Sequence, residues 1–120
     1  MSREKRHKAN RRGLSAERRA AWVLRLKGYT VLERGYRCPL GEIDIIARRA
    51  NVLTFIEVKA RETLAAALNA IGPEQRGRIE RAAQHFIAAR PDCVSLDVRF
   101  DVVAIMPYRW PRHIVDAWRP

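Results

Sequence analysis

The spacing of apolar residues predicts two amphipathic helices separated by strands. In residues 15–27 apolar side chains recur at helical intervals, with Ser15 placed to cap the first turn and Gly28 placed to end the helix. A second helix begins at Pro73, where the missing proline N–H is harmless, and its apolar residues recur through residues 79–87. Each helix therefore has one face suited to packing on a sheet.

The apolar runs outside these helices predict strands. Residues 41–48 and 51–60 are β-rich runs joined by a short polar connection, which predicts an antiparallel hairpin. The Ala-rich residues 62–71 fit either a short helix or a loop. The remaining predicted strands are residues 29–34, 94–105 and 113–118. The order α-β-β-β-α-β-(β) predicts an α/β fold with a mixed central sheet flanked by helices.

The net charge of the chain indicates what kind of partner it binds. The 120 residues include 24 Lys and Arg against 13 Asp and Glu, a formal net charge of +11, which favours a polyanion such as nucleic acid. The 48% of hydrophobic residues excludes a disordered basic tail. Residues 1–12 are basic and have no apolar periodicity, so we expect a flexible basic arm followed by one domain over residues 13–120.

The cysteine content and the hydropathy favour a cytoplasmic protein. Cys38 and Cys93 have neither the number for a disulfide framework nor the CxxC spacing of a zinc site. No apolar run approaches the roughly 20 residues of a membrane span, and no apolar segment of a secretion signal follows the basic N-terminus. We therefore expect no membrane partner.

Three charged residues interrupt the apolar strands of the predicted hairpin. Asp44 lies on its first strand, and Glu57 and Lys59 lie on its second. Antiparallel pairing can place the two carboxylates side by side, where they repel each other unless a dication such as Mg²⁺ binds both. A lysine beside them can stabilise charge that develops on a phosphate. Strand alternation predicts two sets that each share one face: Glu42, Asp44 and Ile46, and Phe55, Glu57 and Lys59.

An edge-strand ion pair between Glu57 and Lys59 is the alternative, with Asp44 as one more edge charge. Only four of the 24 basic residues are lysines, and Lys59 is the last of them. Because an arginine would serve an ion pair equally well, this lysine favours chemistry. For each of two further candidate residues the sequence also allows two interpretations. Glu17, at the head of the first apolar stripe, is a carboxylate directed at the sheet or a first-turn acid, and Gln75 is a site residue or a first-turn polar residue.

These residues resemble a known motif. Asp44, a 12-residue gap and then Glu57-Val58-Lys59 resemble the D…(D/E)xK motif of the restriction-endonuclease-like nucleases, whose shared core is αβββαβ. The blocks GEIDIIA, FIEVKAR and RFDVVAI make residues 13–117 similar to the YraN-type family of bacterial proteins, which is related by fold to archaeal Holliday junction resolvases. Ile43 stands in place of the proline of the motif, and the segment RETLAAALNAIG lacks the Phe-Gly loop of that family.

The resemblance implies a set of site residues and a reaction. Its metal ligands would be Asp44, Glu57, Glu17 and the backbone carbonyl of Val58, holding Mg²⁺ or Mn²⁺, and its catalytic residues would be Asp44, Glu57, Lys59, Glu17 and Gln75. It implies an endonuclease acting on DNA rather than RNA, on branched or single-strand-containing substrates. A resolvase-like role favours a homodimer. The alternative function is a nucleic-acid-binding protein that keeps the fold without catalysis.

Overall fold

Five strands form one mixed sheet with helices on its two faces. The computed structural model describes the backbone of residues 3–120 and the side chains of residues 14–120. The helices are α1 (Arg3–Leu26), α2 (Leu64–Asn69) and α3 (Pro73–Ala88), followed by a short 3-10 helix (Pro91–Cys93). The strands are β1 (Thr30–Cys38), β2 (Gly41–Arg49), β3 (Val52–Ala60), β4 (Asp97–Ile105) and β5 (Arg112–Trp118). The predicted mixed α/β fold is confirmed.

The sheet has the strand order β1-β2-β3-β4-β5, and β3 with β4 is its parallel pair. The predicted hairpin of β2 and β3 is confirmed as antiparallel. A parallel pair needs a crossover connection, which α2 and α3 provide between β3 and β4. The crossover therefore carries α3 over one face of the sheet and leaves the carboxyl ends of β3 and β4 at the same end of the sheet.

Two apolar layers hold the helices on the sheet. On one face Ile79 and Phe86 of α3 pack with Phe55 of β3, and on the other Leu24 of α1 packs with Ile45 of β2. All five side chains are buried. The apolar stripes predicted for both helices are therefore confirmed, and the sheet is covered on both sides.

The first helix is longer than predicted. It begins at Arg3, so Ser15 lies inside it and the predicted cap at Ser15 is wrong. The physical reason is that Arg, Lys and Glu are residue types of high helix propensity, so the sequence before Ser15 favours continuation of the helix. Residues 1–2 of the predicted basic arm lie outside the described residues, its backbone from residue 3 is helical, and its flexibility stays a prediction. Gly28, at φ +91°, ends the helix as expected.

The Ala-rich segment, for which the sequence allowed either a short helix or a loop, contains a helix. Residues 64–69 form α2, and Thr63 caps it by accepting a hydrogen bond from the backbone N–H of Ala66 at 3.1 Å. The strand predicted over residues 29–34 instead extends to Cys38, since Gly35 takes the left-handed φ of +64° and lets the chain continue alongside β2. Within the part of the chain that the structure describes, no helix has the length and apolar character to span a membrane.

A buried polar cluster joins β4 to β5 at the α1 side of the sheet. Asp101 is fully buried and accepts two hydrogen bonds of 2.8 Å from Arg99, one of 2.7 Å with His113 Nε2 and one of 2.9 Å from the backbone of Asp116. Burial alone would raise the pKa of Asp101, but the bonds with His113 and Arg99 hold it well below its usual range. Asp101 therefore ties β4 to β5 through its contacts with Arg99, His113 and the backbone of Asp116.

Candidate active site

The strands β2 and β3 separate where their charged residues begin. Their backbone pairing runs from the hairpin turn to Ile45 opposite Ile56 and stops there. Beyond that pair, Oδ2 of Asp44 accepts a hydrogen bond of 2.8 Å from the backbone N–H of Val58. A side chain thus replaces the next bond of the ladder, and the strands stay apart at a gap whose two sides carry Asp44 and Glu57. We call this opening the strand gap.

The strand gap also corrects the predicted faces of β2. Ile43 and Ile46 belong to the same apolar layer, the one under α3, while Ile45 and Ala47 belong to the layer under α1. Strict alternation, which placed Asp44 and Ile46 on one face, is therefore wrong. The alternation breaks at Asp44, where the ladder between β2 and β3 ends and where the facing residue of β1, Gly35, takes the left-handed φ of +64°.

The alternation predicted for β3 is confirmed, and it brings Glu57, Lys59 and Gln75 together. Oε1 of Glu57 accepts a hydrogen bond of 3.3 Å from Nε2 of Gln75 on α3 and lies 3.7 Å from Nζ of Lys59. Glu57 is only 6% exposed. The ion pair expected by the alternative interpretation is therefore present, but β3 lies between β2 and β4 in the sheet and is not an edge strand.

Glu57 and Asp44 form a strained acid pair. Burial, followed by the adjacent charge and hydrogen bond of Asp44, raises the pKa of Glu57 to about 9, while Lys59 acts in the opposite direction. Glu57 therefore holds a proton at neutral pH. The Lys59 ammonium lowers the pKa of Glu57 but does not offset the effects of burial and of Asp44.

Glu17 approaches the same pair from α1. Its carboxylate lies 3.3 Å from Nε of Arg34 on β1, and its side chain is 15% exposed. Burial and, after the opposing effect of Arg34, the charge of Asp44 raise the pKa of Glu17. Glu17 is thus directed at the sheet, as the first of its two interpretations expected. Nothing in the sequence distinguishes Arg34 from the many other arginines of the chain, so its contact with Glu17 appears only in the structure.

A cavity of about 710 Å³ opens beside the strand gap. Asp44, Glu57 and Gln75 line its inner end, and the exposed Arg37 and Arg78 lie at its rim. The turn between β1 and β2 and the first half of α3 form its walls, from Arg37, Cys38, Pro39, Leu40, Gly41, Glu42, Arg78 and Ile79. An anionic ligand that enters would meet the arginines first and the carboxyl pair last.

The donor set suits a hard divalent cation. In a strand the N–H and C=O of one residue point to the same side, so the carbonyl of Val58, like its N–H, is directed into the strand gap toward Asp44. Two carboxyl groups and a carbonyl are ligands that Mg²⁺ and Mn²⁺ prefer, with waters completing the shell. Within residues 14–120, no group of three or more Asp, Glu, His or Cys side chains is placed so that it could hold a metal ion. Glu17 is engaged by Arg34, so the protein ligands at the strand gap would be the two carboxyl groups and the carbonyl.

Sequence comparison assigns this arrangement to a family. Residues 16–105 match the profile of the group described as Uncharacterised protein family UPF0102. The chain belongs to this family. It is 53% identical over 112 residues to a UPF0102 protein of Parvibaculum lavamentivorans, an alignment that covers 93% of this chain and 84% of the relative. The predicted YraN-type resemblance is therefore confirmed.

Other UPF0102 relatives match to a similar extent. The identity is 51% over 115 residues with a protein of Paramagnetospirillum magneticum, covering 92% of this chain and 89% of the relative. It is 47% over 114 residues with a protein of Bartonella quintana, covering 95% and 93%. The UPF0102 profile contains every candidate site residue, from Glu17 to Gln75, and ends with β4 at Ile105.

Proposed function

We propose that this UPF0102 protein is a Mg²⁺- or Mn²⁺-dependent endonuclease that hydrolyses phosphodiester bonds in DNA. The observation that carries the proposal is the meeting of Asp44, Glu57 and Lys59 at the strand gap, next to a cavity with an arginine rim. These residue types at that spacing are those of the D…(D/E)xK nucleases. The net charge of +11 supports a nucleic acid as the substrate.

The topology supports the restriction-endonuclease-like fold as the finer description. A helix, three antiparallel strands, a helical crossover and a strand parallel to the third reproduce the order αβββαβ. Here the crossover contains the extra short helix α2, and β5 extends the sheet beyond β4. Asp44 and Glu57 come from β2 and β3, two neighbouring strands inside this sheet.

Each side chain has a role that follows from its contacts. When bound by Asp44, Glu57 and the Val58 carbonyl, a divalent cation supplies the concentrated positive charge that activates water and stabilises charge on phosphate oxygens. Gln75 donates to Glu57 and so fixes the orientation of that carboxyl group. Lys59 has three ammonium donors, of which the contact with Glu57 uses one, leaving others for water or a phosphate oxygen.

The surroundings of the site fit a phosphodiester chain. Arg37 and Arg78 at the rim can each bind a flanking phosphate, because their side chains are 79% and 55% exposed. Their acidic partners Glu42 and Glu74 are themselves exposed, so water screens those ion pairs and a phosphate can compete for the guanidinium groups. The rim therefore positions the substrate without reading its sequence.

Cleavage of DNA by three matched variants tests the proposal. Supercoiled plasmid and a four-way junction are incubated with Mg²⁺ or Mn²⁺, with EDTA as the negative control. We expect Asp44→Asn and Lys59→Met each to reduce the cleavage rate by about 100-fold or more. Asp92→Asn, an exposed acid paired with Arg90 on the surface, should leave the rate unchanged. Cleavage that survives in both Asp44→Asn and Lys59→Met would refute the assignment.

One contact favours the alternative of a nucleic-acid-binding protein without catalysis. The ion pair with Arg34 engages the acid Glu17, which the nuclease pattern assigns to the metal. Titration of Mn²⁺ by calorimetry separates the two functions. The nuclease binds the ion in wild type and loses that binding in Asp44→Asn, whereas a pure binder shows salt-sensitive DNA binding and no heat from Mn²⁺.

A further inference from the structure

The turn between β4 and β5 exposes two aromatic side chains to solvent. In residues 106–111, the side chain of Tyr108 is completely exposed and that of Trp110 is 70% exposed. Arg109 lies between them and Arg112 follows, both exposed and without an acidic residue in the turn. Exposed rings that alternate with arginines are typical of surfaces that bind single-stranded nucleic acid.

The backbone of this turn is strained at its most exposed residue. Tyr108 has φ +58°, the left-handed conformation that a bulky residue rarely adopts and that glycine or asparagine would adopt at lower cost. A tyrosine at that position packs against nothing, since its side chain is fully exposed. The ring is therefore free to contact a ligand.

The turn lies at the end of the sheet that carries the candidate site. Because β3 and β4 are parallel, Glu57 is paired with Val102, and both strands then run to the same end. The N–H of Arg61 donates to the carbonyl of Ile105 at 3.0 Å and fixes the start of the turn beside the end of β3. The four residues from Val102 to the first residue of the turn span about 13 Å, a distance that a few nucleotides bridge.

We propose that the β4–β5 turn is a base-stacking platform for unpaired nucleotides that lead into the strand gap. The platform deepens the proposed function, on which it rests, by making single-strand-containing DNA the preferred substrate. Tyr108 and Trp110 stack on bases, and Arg109 and Arg112 bind the phosphates between them. A continuous duplex keeps the faces of its bases inside the helix and gains nothing from the rings. The turn follows the segment matched by the UPF0102 profile, which ends at residue 105.

The test compares binding of two probes in EDTA, so that no cleavage takes place. Fluorescence anisotropy measures the affinity for a labelled oligothymidylate and for a labelled duplex of the same length. The variant Tyr108→Gly/Trp110→Ala removes both rings, and glycine takes the positive φ without strain, so the fold is retained. Trp22→Ala is the matched control, since Trp22 is also exposed, at 60%, but lies on α1. A thermal melt of each variant confirms folding.

We expect the double variant to bind the oligothymidylate about tenfold more weakly or worse, and to bind the duplex as wild type does. Trp22→Ala should match wild type on both probes. Unchanged oligothymidylate affinity, or an equal loss on both probes, would overturn the proposal. The proposal would also be overturned if sedimentation showed that wild type is a dimer and that the double variant is a monomer with unchanged DNA affinity. If wild type cleaves no DNA, the proposed nuclease activity is refuted, but the result of this binding experiment remains valid.

Discussion

Replacing Glu57 with glutamine should change how the stability of the protein depends on pH. The pKa of Glu57 is raised to about 9 in the folded protein by burial and by Asp44, whereas an unfolded glutamate titrates near 4.5. Between these values the folded state holds a proton that the unfolded state has lost. The unfolded state therefore binds fewer protons, and the free energy of unfolding falls as pH rises.

The size of the effect follows from that one proton. A difference of one bound proton changes the free energy of unfolding by about 1.4 kcal/mol per pH unit, so between pH 6 and pH 8 wild type should lose about 3 kcal/mol through Glu57. The side chain is 8% exposed, so solvent screening reduces this little. Glutamine carries no titrating proton and retains an acceptor for Gln75. Glu57→Gln should therefore have a flatter profile and be the more stable protein at pH 8.

Urea unfolding followed by circular dichroism at several pH values measures this difference. All samples contain EDTA, so that no divalent cation competes with the proton. Glu17, whose pKa is raised by burial and by Asp44 rather than by Glu57, is present in both proteins and cancels in the difference. Asp101 does not contribute in this range, because its pKa is lowered. Parallel profiles for wild type and Glu57→Gln from pH 6 to pH 8 would refute the reasoning.

Two further substitutions test the fold around the site. Asp101→Asn should lower the free energy of unfolding by about 3–5 kcal/mol, because it leaves the Arg99 guanidinium without its buried carboxylate; a loss under about 1 kcal/mol in urea unfolding would contradict this. Gly41→Ala should lower it by about 1–3 kcal/mol, because the added Cβ would lie 3.1 Å from the carbonyl oxygen of Arg78. A thermal melt measures that change, and an unchanged midpoint would show that α3 moves aside freely.

Local sequence rules predicted the elements that this site needs. The helical spacing around Leu24 and Ile79, the proline that begins α3 and the turn between β2 and β3 each follow from patterns that a few neighbouring residues determine. For Gln75 the sequence left two interpretations open, and its hydrogen bond to Glu57 favours the site residue.

The features that the sequence did not reveal depend on contacts between distant residues. Strict alternation misplaced Asp44, because the end of the β2–β3 ladder is set by a side chain bonding to Val58 on another strand. The start of α1 was also predicted wrongly. Ser15 can cap a helix only if the residues before it are not helical, and in the structure they are. Arg34 and the rim arginines could not be singled out in the sequence, because the chain contains many arginines. Only the fold shows which of them lie beside the carboxyl groups.

The bond between Asp44 and Val58 makes one backbone amide a reporter for the whole site. That N–H is held by a carboxylate rather than by a neighbouring strand, so its nuclear magnetic resonance signal will respond to whatever else binds the same carboxylate. Proton uptake, a divalent cation or a substrate phosphate can each be followed at a single peak, without an assay for catalysis. The gap in the sheet thus supplies its own spectroscopic probe.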